Sequence, residues 1–248
     1  MSKTLKWVLI AIAALGAIAL ILFAVAYDNG YSGLHKHTEP SAGQIKVACV
    51  GDSITYGHGV SGWEKNNYPA QLAEILGAAF HVANFGHSGR TLLSTGDQPY
   101  VESEQYRLSL EYKPDIVVFM LGSNDSKPEN WTNAEDFRAQ LEVMLESYRE
   151  VNPDVKIYLC TPAEAYCMDG GESGKTSFDI RPGIVDEIDM IIKGYALLNM
   201  KKIENLIDVH VLTEEHPEFF EADGVHPDAA GASAIARLVA DKIIAGLD

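Results

Sequence analysis

Short apolar runs alternate with longer amphipathic segments from residue 44 to the end of the chain. Five of the runs are nearly continuous in apolar residues, a pattern typical of strands that are covered on both faces of a sheet. These predicted strands are residues 45–51, 81–86, 115–122, 155–160 and 206–211. The other segments repeat their apolar residues at a helical period and predict helices at 67–79, 101–112, 133–151, 183–204 and 228–247.

Strands that alternate with helices in this way build a parallel, doubly wound sheet, because each crossover helix returns the chain to the same end of the sheet. No break rich in glycine or proline is long enough to divide residues 44–248. The sequence therefore predicts one α/β domain, with a three-layer α/β/α, flavodoxin-like fold around a five-stranded parallel sheet. Ligands of such sheets bind beyond the carboxyl ends of the strands.

A different pattern occupies residues 1–27, where positions 7–27 contain no charged side chain. About 20 apolar residues cross the hydrocarbon core of a bilayer, so this stretch predicts a transmembrane helix. Lys3 and Lys6 precede it, which by the positive-inside rule places the N-terminus in the cytoplasm and the domain outside the membrane. The stretch is a signal anchor or, because a small-x-small cleavage pattern ends at Ala26, a signal peptide cut near that residue.

Residues 28–43 have no apolar period and predict a solvated linker. The whole chain has a net charge of −16, and the part after residues 1–27 has 17 basic against 35 acidic side chains, a net charge of −18. So acidic a domain repels phosphate backbones, which excludes nucleic acid as a partner and leaves the N-terminal helix as the expected membrane contact.

Cys160 and Cys167 are close enough for a disulfide, with free thiols as the alternative. The oligomeric state has no signal in the sequence.

Polar residues follow the predicted strands at the point where each strand ends. Ser53 follows the first strand, Gly86 ends the second, and Asn124 follows the third. Asp223 and His226 come after the fifth strand, three residues apart in a turn before the last helix. Because the carboxyl ends of parallel strands meet at one edge of a sheet, we expect these groups to share one site.

These residue types are those that acyl transfer requires. A serine hydroxyl is a weak nucleophile until a neutral imidazole accepts its proton, and a carboxylate can hold that imidazole in the required tautomer. We therefore predict Ser53 as the nucleophile, His226 as the base and Asp223 as the residue that orients it. The predicted oxyanion donors are the N–H groups of Ser53 and Gly86 and the side-chain amide of Asn124. No spacing among the histidines indicates a zinc site, so we expect neither a metal nor a cofactor.

Four motifs hold these residues: G-D-S-I-T at 51–55, N-F-G-H-S-G at 84–89, G-S-N-D at 122–125 and D-G-V-H-P at 223–227. Their content and order resemble the SGNH (GDSL-type) hydrolase superfamily. The resemblance implies a serine esterase with the same assignment of nucleophile, base, orienting carboxylate and oxyanion donors. Strings at 68–72, 96–100 and 124–131 are similar to bacterial carbohydrate O-acetylesterases of this superfamily, including sialate O-acetylesterases and acetylxylan esterases.

The resemblance implies a cofactor-free enzyme that removes a small acyl group, such as acetyl, from a carbohydrate hydroxyl through an acyl-enzyme. An acylated carbohydrate is then the expected partner, and Arg90 and Trp131 are candidate substrate-binding residues, with ordinary packing as their alternative. A lysophospholipase or acyl-thioesterase on the same scaffold is the alternative enzyme. A non-catalytic glycan-binding module is the alternative from another class. The expected location is extracytoplasmic, anchored in the membrane or secreted after cleavage.

Overall fold

The computed structural model describes Gly16, His35, residues 37–167 and residues 176–247. The predicted transmembrane helix and most of the predicted linker therefore lie outside the described residues. Within the described ranges, no helix has both the length and the apolar content to span a bilayer. The described residues from His35 onward form one compact unit.

Five strands form one parallel sheet, as the sequence predicts. They are β1 (Ile45–Gly51), β2 (Phe80–Gly86), β3 (Ile116–Met120), β4 (Lys156–Cys160) and β5 (Asn205–Ile207). Their order across the sheet is β2–β1–β3–β4–β5, which is the doubly wound, flavodoxin-like order and confirms the predicted fold class. The order reverses direction between β1 and β3, and in sheets of this kind a ligand crevice opens at that reversal.

Helices cover both faces of the sheet. In chain order they are α1 (Ser53–Tyr56), α2 (Trp63–Asn66), α3 (Tyr68–Leu76), α4 (Glu104–Glu111), α5 (Ala134–Val151), α6 (Pro182–Leu198), α7 (Val209–Thr213) and α8 (Ala229–Ala245). Single 3₁₀ turns lie at Tyr100–Glu102, Asn124–Ser126 and Pro217–Phe219. The predicted long helices correspond to α3, α4, α5, α6 and α8.

The secondary structure differs from the prediction at several elements. Helices α1 and α2 lie in a stretch for which the sequence predicts no helix, because helices of four residues are too short to show an apolar period. Helix α6 ends at Leu198, whereas the apolar pattern extends it to 204. The fifth strand ends at Ile207, whereas the apolar pattern extends it to 211. Asp208 is the cause, because its carboxylate accepts the N–H of Val211 and so caps the start of α7.

Side chains of the strands alternate between two apolar layers, as the pleat requires. In β1, Ala48 and Val50 face the layer that α5 and α6 complete, whereas Val47 and Cys49 face the layer that α3 and α8 complete. All four side chains are fully buried. The sheet is therefore the middle of three layers, and its carboxyl edge is the place where loops can hold a ligand. Cys160 at the end of β4 is a buried free thiol, so it forms no disulfide with Cys167.

The end of the predicted linker packs on the domain instead of running through solvent. Nε2 of His35 lies 2.9 Å from the carbonyl oxygen of Tyr56, and its ring centroid is 5.0 Å from that of Trp63. The ring of His37 stacks on Phe85, with centroids 4.2 Å apart. Burial lowers the pKa of both imidazoles, so they serve as neutral packing groups at neutral pH. The expectation of solvated side chains is wrong for these two histidines.

Candidate active site

Three of the predicted site residues form one hydrogen-bonded chain at the carboxyl edge of the sheet. Nε2 of His226 lies 2.9 Å from Oγ of Ser53, and Nδ1 of His226 lies 2.8 Å from Oδ2 of Asp223. Ser53 and His226 are 7% and 4% exposed, so little water reaches the bond between them. This geometry suits transfer of the hydroxyl proton of Ser53 to Nε2 while Asp223 accepts the N–H of Nδ1.

Local structure holds Ser53 at the first position of α1. Asp52, which is buried, caps the helix by accepting the N–H of Ile54 at Oδ1 over 3.0 Å. The N–H of Ser53 itself donates no hydrogen bond to any residue that the structure describes. Ser53 therefore combines a fixed hydroxyl with a backbone donor that is available to a ligand.

A tight turn fixes the other two members of the chain. Oδ1 of Asp223 accepts the backbone N–H groups of Val225 at 2.8 Å and of His226 at 2.9 Å. Burial acts to raise the pKa of Asp223, but the hydrogen bonds and charge of His226 outweigh it and lower this pKa to about 2. Asp223 is therefore ionised at neutral pH, with one oxygen for the turn and the other for the imidazole.

Two aromatic rings that sequence reasoning did not assign to the site flank His226. The ring of Phe178 meets the imidazole edge-on, with centroids 5.1 Å apart and an interplanar angle of 79°. The ring of His58 lies on another side, with centroids 4.4 Å apart. Neither residue belongs to a motif, and only the tertiary fold brings them to the imidazole.

Asn124 brings its side-chain amide to the same place. Its Nδ2 lies 3.2 Å from the carbonyl oxygen of Arg90 and 3.4 Å from Oδ2 of Asp52, the residue before the nucleophile. Nδ2 of Asn130 in turn donates to the carbonyl oxygen of Asn124 at 2.9 Å and holds this turn in position. The amide is therefore fixed between the segment that carries Ser53 and the loop after β2.

The N–H of Gly86 is not available for its predicted role as an oxyanion donor. Its N–H donates to Oδ1 of Asn84 at 2.9 Å and is already paired within the fold. A Cβ at this position would lie 2.2 Å from the backbone nitrogen of Tyr56, so the absence of a side chain allows α1 to pack closely on β2. The structure contradicts the assignment of Gly86 as an oxyanion donor and gives it a packing role instead.

Gly89 has the free donor that Gly86 lacks. Its φ of +79° lies in the left-handed region that favours glycine. In the described part of the chain, its N–H donates to no other residue. The next residue, Arg90, accepts the amide of Asn124, so this N–H lies on the loop that meets that amide. Sequence reasoning missed Gly89, although the second glycine of G-H-S-G marks a position where positive φ is expected.

The two predicted substrate-binding residues have different surroundings. Nη2 of Arg90 lies 3.1 Å from Nε2 of His87. Burial and the charge of Arg90 lower the pKa of His87 to about 4, so a neutral imidazole accepts this hydrogen bond. Trp131 packs on Phe137, with ring centroids 5.9 Å apart, at the edge of the core. Arg90 thus belongs to the loop beside Asn124, whereas Trp131 contacts the core as a packing residue.

Two buried carboxyl groups support the loops of the site. Asp125 accepts the backbone N–H groups of Leu92 at 2.8 Å and Leu93 at 2.7 Å and so ties the loop after β2 to the turn after β3. Burial raises the pKa of Asp125 to about 7 and that of Asp52 to about 6. The protein thus keeps two carboxyl groups in an unfavourable environment directly beside the residues that surround Ser53.

The chain is similar to several known proteins. A profile of the GDSL-like lipase/acylhydrolase family matches residues 49–234. An acetylxylan esterase of Xylanibacter ruminicola is 37% identical over an alignment of 229 residues that covers 82% of this chain and 44% of that protein. The chain therefore spans less than half the length of this relative.

Solved structures with the same fold include a carbohydrate acetylesterase from Sinorhizobium meliloti, with a TM-score of 0.63 and 18% identity. That similarity covers 82% of this chain and 99% of the other. A carbohydrate esterase family 3 protein from Talaromyces cellulolyticus has a TM-score of 0.60 and 21% identity, with 82% and 97% of the two chains covered. At these identities the similarity shows the fold alone.

Proposed function

The chain belongs to the GDSL-like lipase/acylhydrolase family, and we propose that it is a serine esterase whose catalytic triad is Ser53, His226 and Asp223. The observation that carries this proposal is the hydrogen-bonded chain from Asp223 to Ser53, with separations of 2.8 and 2.9 Å. A module that only bound glycans would have no use for a buried imidazole held between a carboxylate and a serine hydroxyl.

In the proposed mechanism, the acyl group first passes to the enzyme. The proton of the Ser53 hydroxyl moves to Nε2 of His226 as Oγ bonds to the carbonyl carbon of the ester. Asp223 stabilises the imidazolium and keeps its Nδ1–H in place. When the tetrahedral intermediate collapses, the bond to the alcohol oxygen breaks and the alcohol takes the proton from Nε2. Water then attacks the acyl-enzyme by the same route and releases the carboxylic acid.

The oxyanion of this intermediate needs donors that are already in place. We assign them to the side-chain amide of Asn124 and the N–H groups of Ser53 and Gly89, in place of the N–H of Gly86. The N–H groups of Ser53 and Gly89 support this choice because they have no partner in the described ranges. The N–H of Gly86 is held by Asn84 at 2.9 Å, whereas Nδ2 of Asn124 makes only longer contacts, at 3.2 and 3.4 Å, which an oxyanion can replace. Each such donor contributes about 3–4 kcal/mol to lowering the barrier.

The substrate class that we propose is an acetylated carbohydrate. The 37% identity to a protein named acetylxylan esterase supports this choice, as does the strongly acidic domain, which suits a neutral sugar ester better than an anionic polymer. Arg90 is the residue that we expect to contact the sugar, because it lies beside the oxyanion loop and its Nε is buried with no partner among the described residues.

An ester series tests this proposal. The full chain, purified in a mild detergent, is assayed on 4-nitrophenyl esters from acetate to dodecanoate and then on acetylated xylan, acetylated sialic acid and acetylated peptidoglycan. We expect kcat/KM to be greatest for acetate and to fall as the acyl chain lengthens. A preference for long chains would favour the lysophospholipase or thioesterase alternative, and no turnover of any short ester would refute the esterase itself.

We also propose that residues 1–27 anchor the chain in the membrane, that residues 28–43 follow as a linker, and that residues 44–248 act as the hydrolase domain outside the cytoplasm. The support is the uncharged stretch at 7–27 with lysines before it. The test is the mass of the chain recovered from membranes. An intact N-terminus in the membrane fraction supports the anchor, and a soluble product that begins near residue 27 supports a cleaved signal peptide.

A further inference from the structure

A second cluster of chemically active side chains lies outside the triad, and the proposed esterase mechanism does not use it. Glu164 follows β4, Asp186 lies on α6 and His210 lies on α7. One ligand atom from each residue can be chosen so that all three atoms lie within 4.8 Å of one another. We call this group the Glu164–Asp186–His210 cluster.

His210 is buried without adequate partners. The residue is 7% exposed, and its Nδ1 has no hydrogen-bond partner among the described residues. Its Nε2 lies 3.3 Å from Oε2 of Glu164 and 3.6 Å from Oδ1 of Asp186. If Nδ1 carries the proton, the lone pair of Nε2 faces two carboxylates; if Nε2 carries it, Nδ1 is a buried acceptor without a donor. A cation at Nε2 removes the conflict with the carboxylates in the Nδ1–H tautomer, in which Nδ1–H remains a buried donor without an acceptor among the described residues.

The carboxylates lack a counter-charge as well. In the described part of the molecule, neither Glu164 nor Asp186 has a lysine or arginine within ion-pair distance, and His210 is the one basic side chain beside them. The side chain of Glu164 is mostly buried, and Asp186 and Glu214 add like charges near it. A positive charge between these groups would relieve both the repulsion and the cost of burial.

The backbone holds two of these ligands in a fixed relation. The N–H of Glu164 donates to Oγ1 of Thr213 at 2.9 Å, and the N–H of His210 donates to Oγ1 of Thr161 at 2.9 Å. These two bonds join the segment after β4 to α7 in both directions. Oε1 of Glu164 accepts the N–H of Ala165 at 2.8 Å, which leaves Oε2 directed at His210.

We propose that Glu164, Asp186 and His210 bind one divalent transition-metal ion, with zinc as the ion that fits best. In a tetrahedral zinc site, bonds of about 2.0–2.2 Å to nitrogen and oxygen place neighbouring ligand atoms roughly 3.3–3.6 Å apart. The two N···O separations of the cluster, 3.3 and 3.6 Å, lie in this range. A water molecule would take the fourth position.

The ion would act as a structural brace for one wall of the active site. It would join the segment after β4 to α6 and α7. The N–H of Tyr166, two residues after Glu164, donates to the carbonyl oxygen of Gly224 at 2.8 Å, inside the turn between Asp223 and His226. The metal therefore stabilises the support of the catalytic turn and takes no part in the reaction.

Zinc binding by the full chain tests this proposal without reference to activity. The protein in detergent is stripped with EDTA, desalted and titrated with zinc by calorimetry. We expect one zinc ion per chain with a Kd in the micromolar range or below. We also expect a Tm that rises by about 5–11 °C at a free zinc concentration of 100 times Kd.

Two variants and one control locate the ion. Asp186→Asn changes a half-exposed side chain with little risk to folding and should weaken zinc binding by about tenfold or more, and His210→Gln should abolish it. His216→Gln is the control, since His216 is an exposed histidine beside a single carboxylate, 2.7 Å from Glu218, and should bind zinc as the unchanged chain does. If the unchanged chain binds no zinc, or if Asp186→Asn binds it with unchanged affinity, the proposal is wrong. Asp186→Asn keeps the test decisive if His210→Gln fails to fold.

Discussion

Asp223→Asn separates the orienting role of Asp223 from its role in the turn. Oδ1 of Asp223 accepts two backbone N–H groups, and Oδ2 accepts the N–H of Nδ1 of His226. An asparagine can keep its single oxygen on the two backbone donors, but its NH₂ group then faces Nδ1. The neutral imidazole then carries its proton on Nε2. A protonated Nε2 can no longer accept the proton of Ser53.

The expected loss follows from that change of tautomer. In a serine protease with the same triad, this substitution of the orienting aspartate lowers kcat by about 10⁴-fold, which corresponds to roughly 5.4 kcal/mol in the barrier. The folded-state pKa of Asp223, about 2, is below the ordinary 3.8, so the ionised carboxylate also stabilises the fold. Allowing for partial solvent screening, we expect the variant to lose about 1–2 kcal/mol of stability at neutral pH.

The assay measures kcat on 4-nitrophenyl acetate and Tm between pH 3 and pH 8. Because the folded pKa of Asp223 is lower than the unfolded one, its contribution to stability is complete above about pH 4 and is lost as the pH falls toward 2. The Tm difference from the unchanged chain should thus be constant from pH 5 to pH 8 and narrow below pH 4. Asp228→Asn is the control, because Asp228 caps α8 through two backbone N–H groups and asparagine caps equally well.

If Asp223→Asn keeps more than about a tenth of the activity, Asp223 does not control the tautomer of the base and its orienting role is refuted. The orienting role is refuted also if Asp228→Asn loses as much activity as Asp223→Asn. In that case the effect would come from general disturbance of the segment around residues 223–228.

Three further results are expected. Ser53→Ala should lower kcat by about 10⁶-fold on 4-nitrophenyl acetate while Tm changes by less than about 2 °C, and retained turnover would mean that another residue is the nucleophile. As the pH rises from 4 to 8, Asp52→Asn should gain up to about 3 kcal/mol of stability relative to the unchanged chain. The reason is that the Asp52 carboxyl has a folded pKa of about 6, so its ionisation costs the unchanged chain stability over that range. A Tm difference between the two proteins that does not depend on pH would contradict this. Gly86→Ala should destabilise the fold by about 1–3 kcal/mol in urea unfolding, because its Cβ would lie 2.2 Å from the Tyr56 nitrogen, and an unchanged midpoint would refute the packing role.

Apolar periodicity was sufficient to predict the sheet, because four of the five strands contain four or five consecutive buried residues and so are covered on both faces. It failed at β5, where Val209 and Val211 continue the apolar pattern but Asp208 caps a helix. A local capping bond thus overrode a β-like composition. The two helices of four residues, α1 and α2, were not predicted for a related reason, because caps and tertiary contacts define them.

Ser53 and Asn124 were predictable because each follows a strand in the fold. Asp223 and His226 come after α7 and a 3₁₀ turn, so their three-residue spacing before the last helix was the useful signal. The structure brings all four residues to one edge of the sheet. The choice between Gly86 and Gly89 was not predictable by the same reasoning. It depends on which N–H the fold has already used, and that is decided by the side chain of Asn84 and the backbone of α1.

The contact between Ser53 and His226 also has a consequence for folding kinetics. The two residues are 173 positions apart, so their hydrogen bond closes almost the whole domain into one loop. Closing a loop of this length costs entropy, and contacts between distant residues form slowly. We expect helical circular dichroism to return early after dilution from denaturant and esterase activity to return last. Activity recovery is then a measure of the slowest step of folding, and circular dichroism alone would overestimate the fraction of native chains.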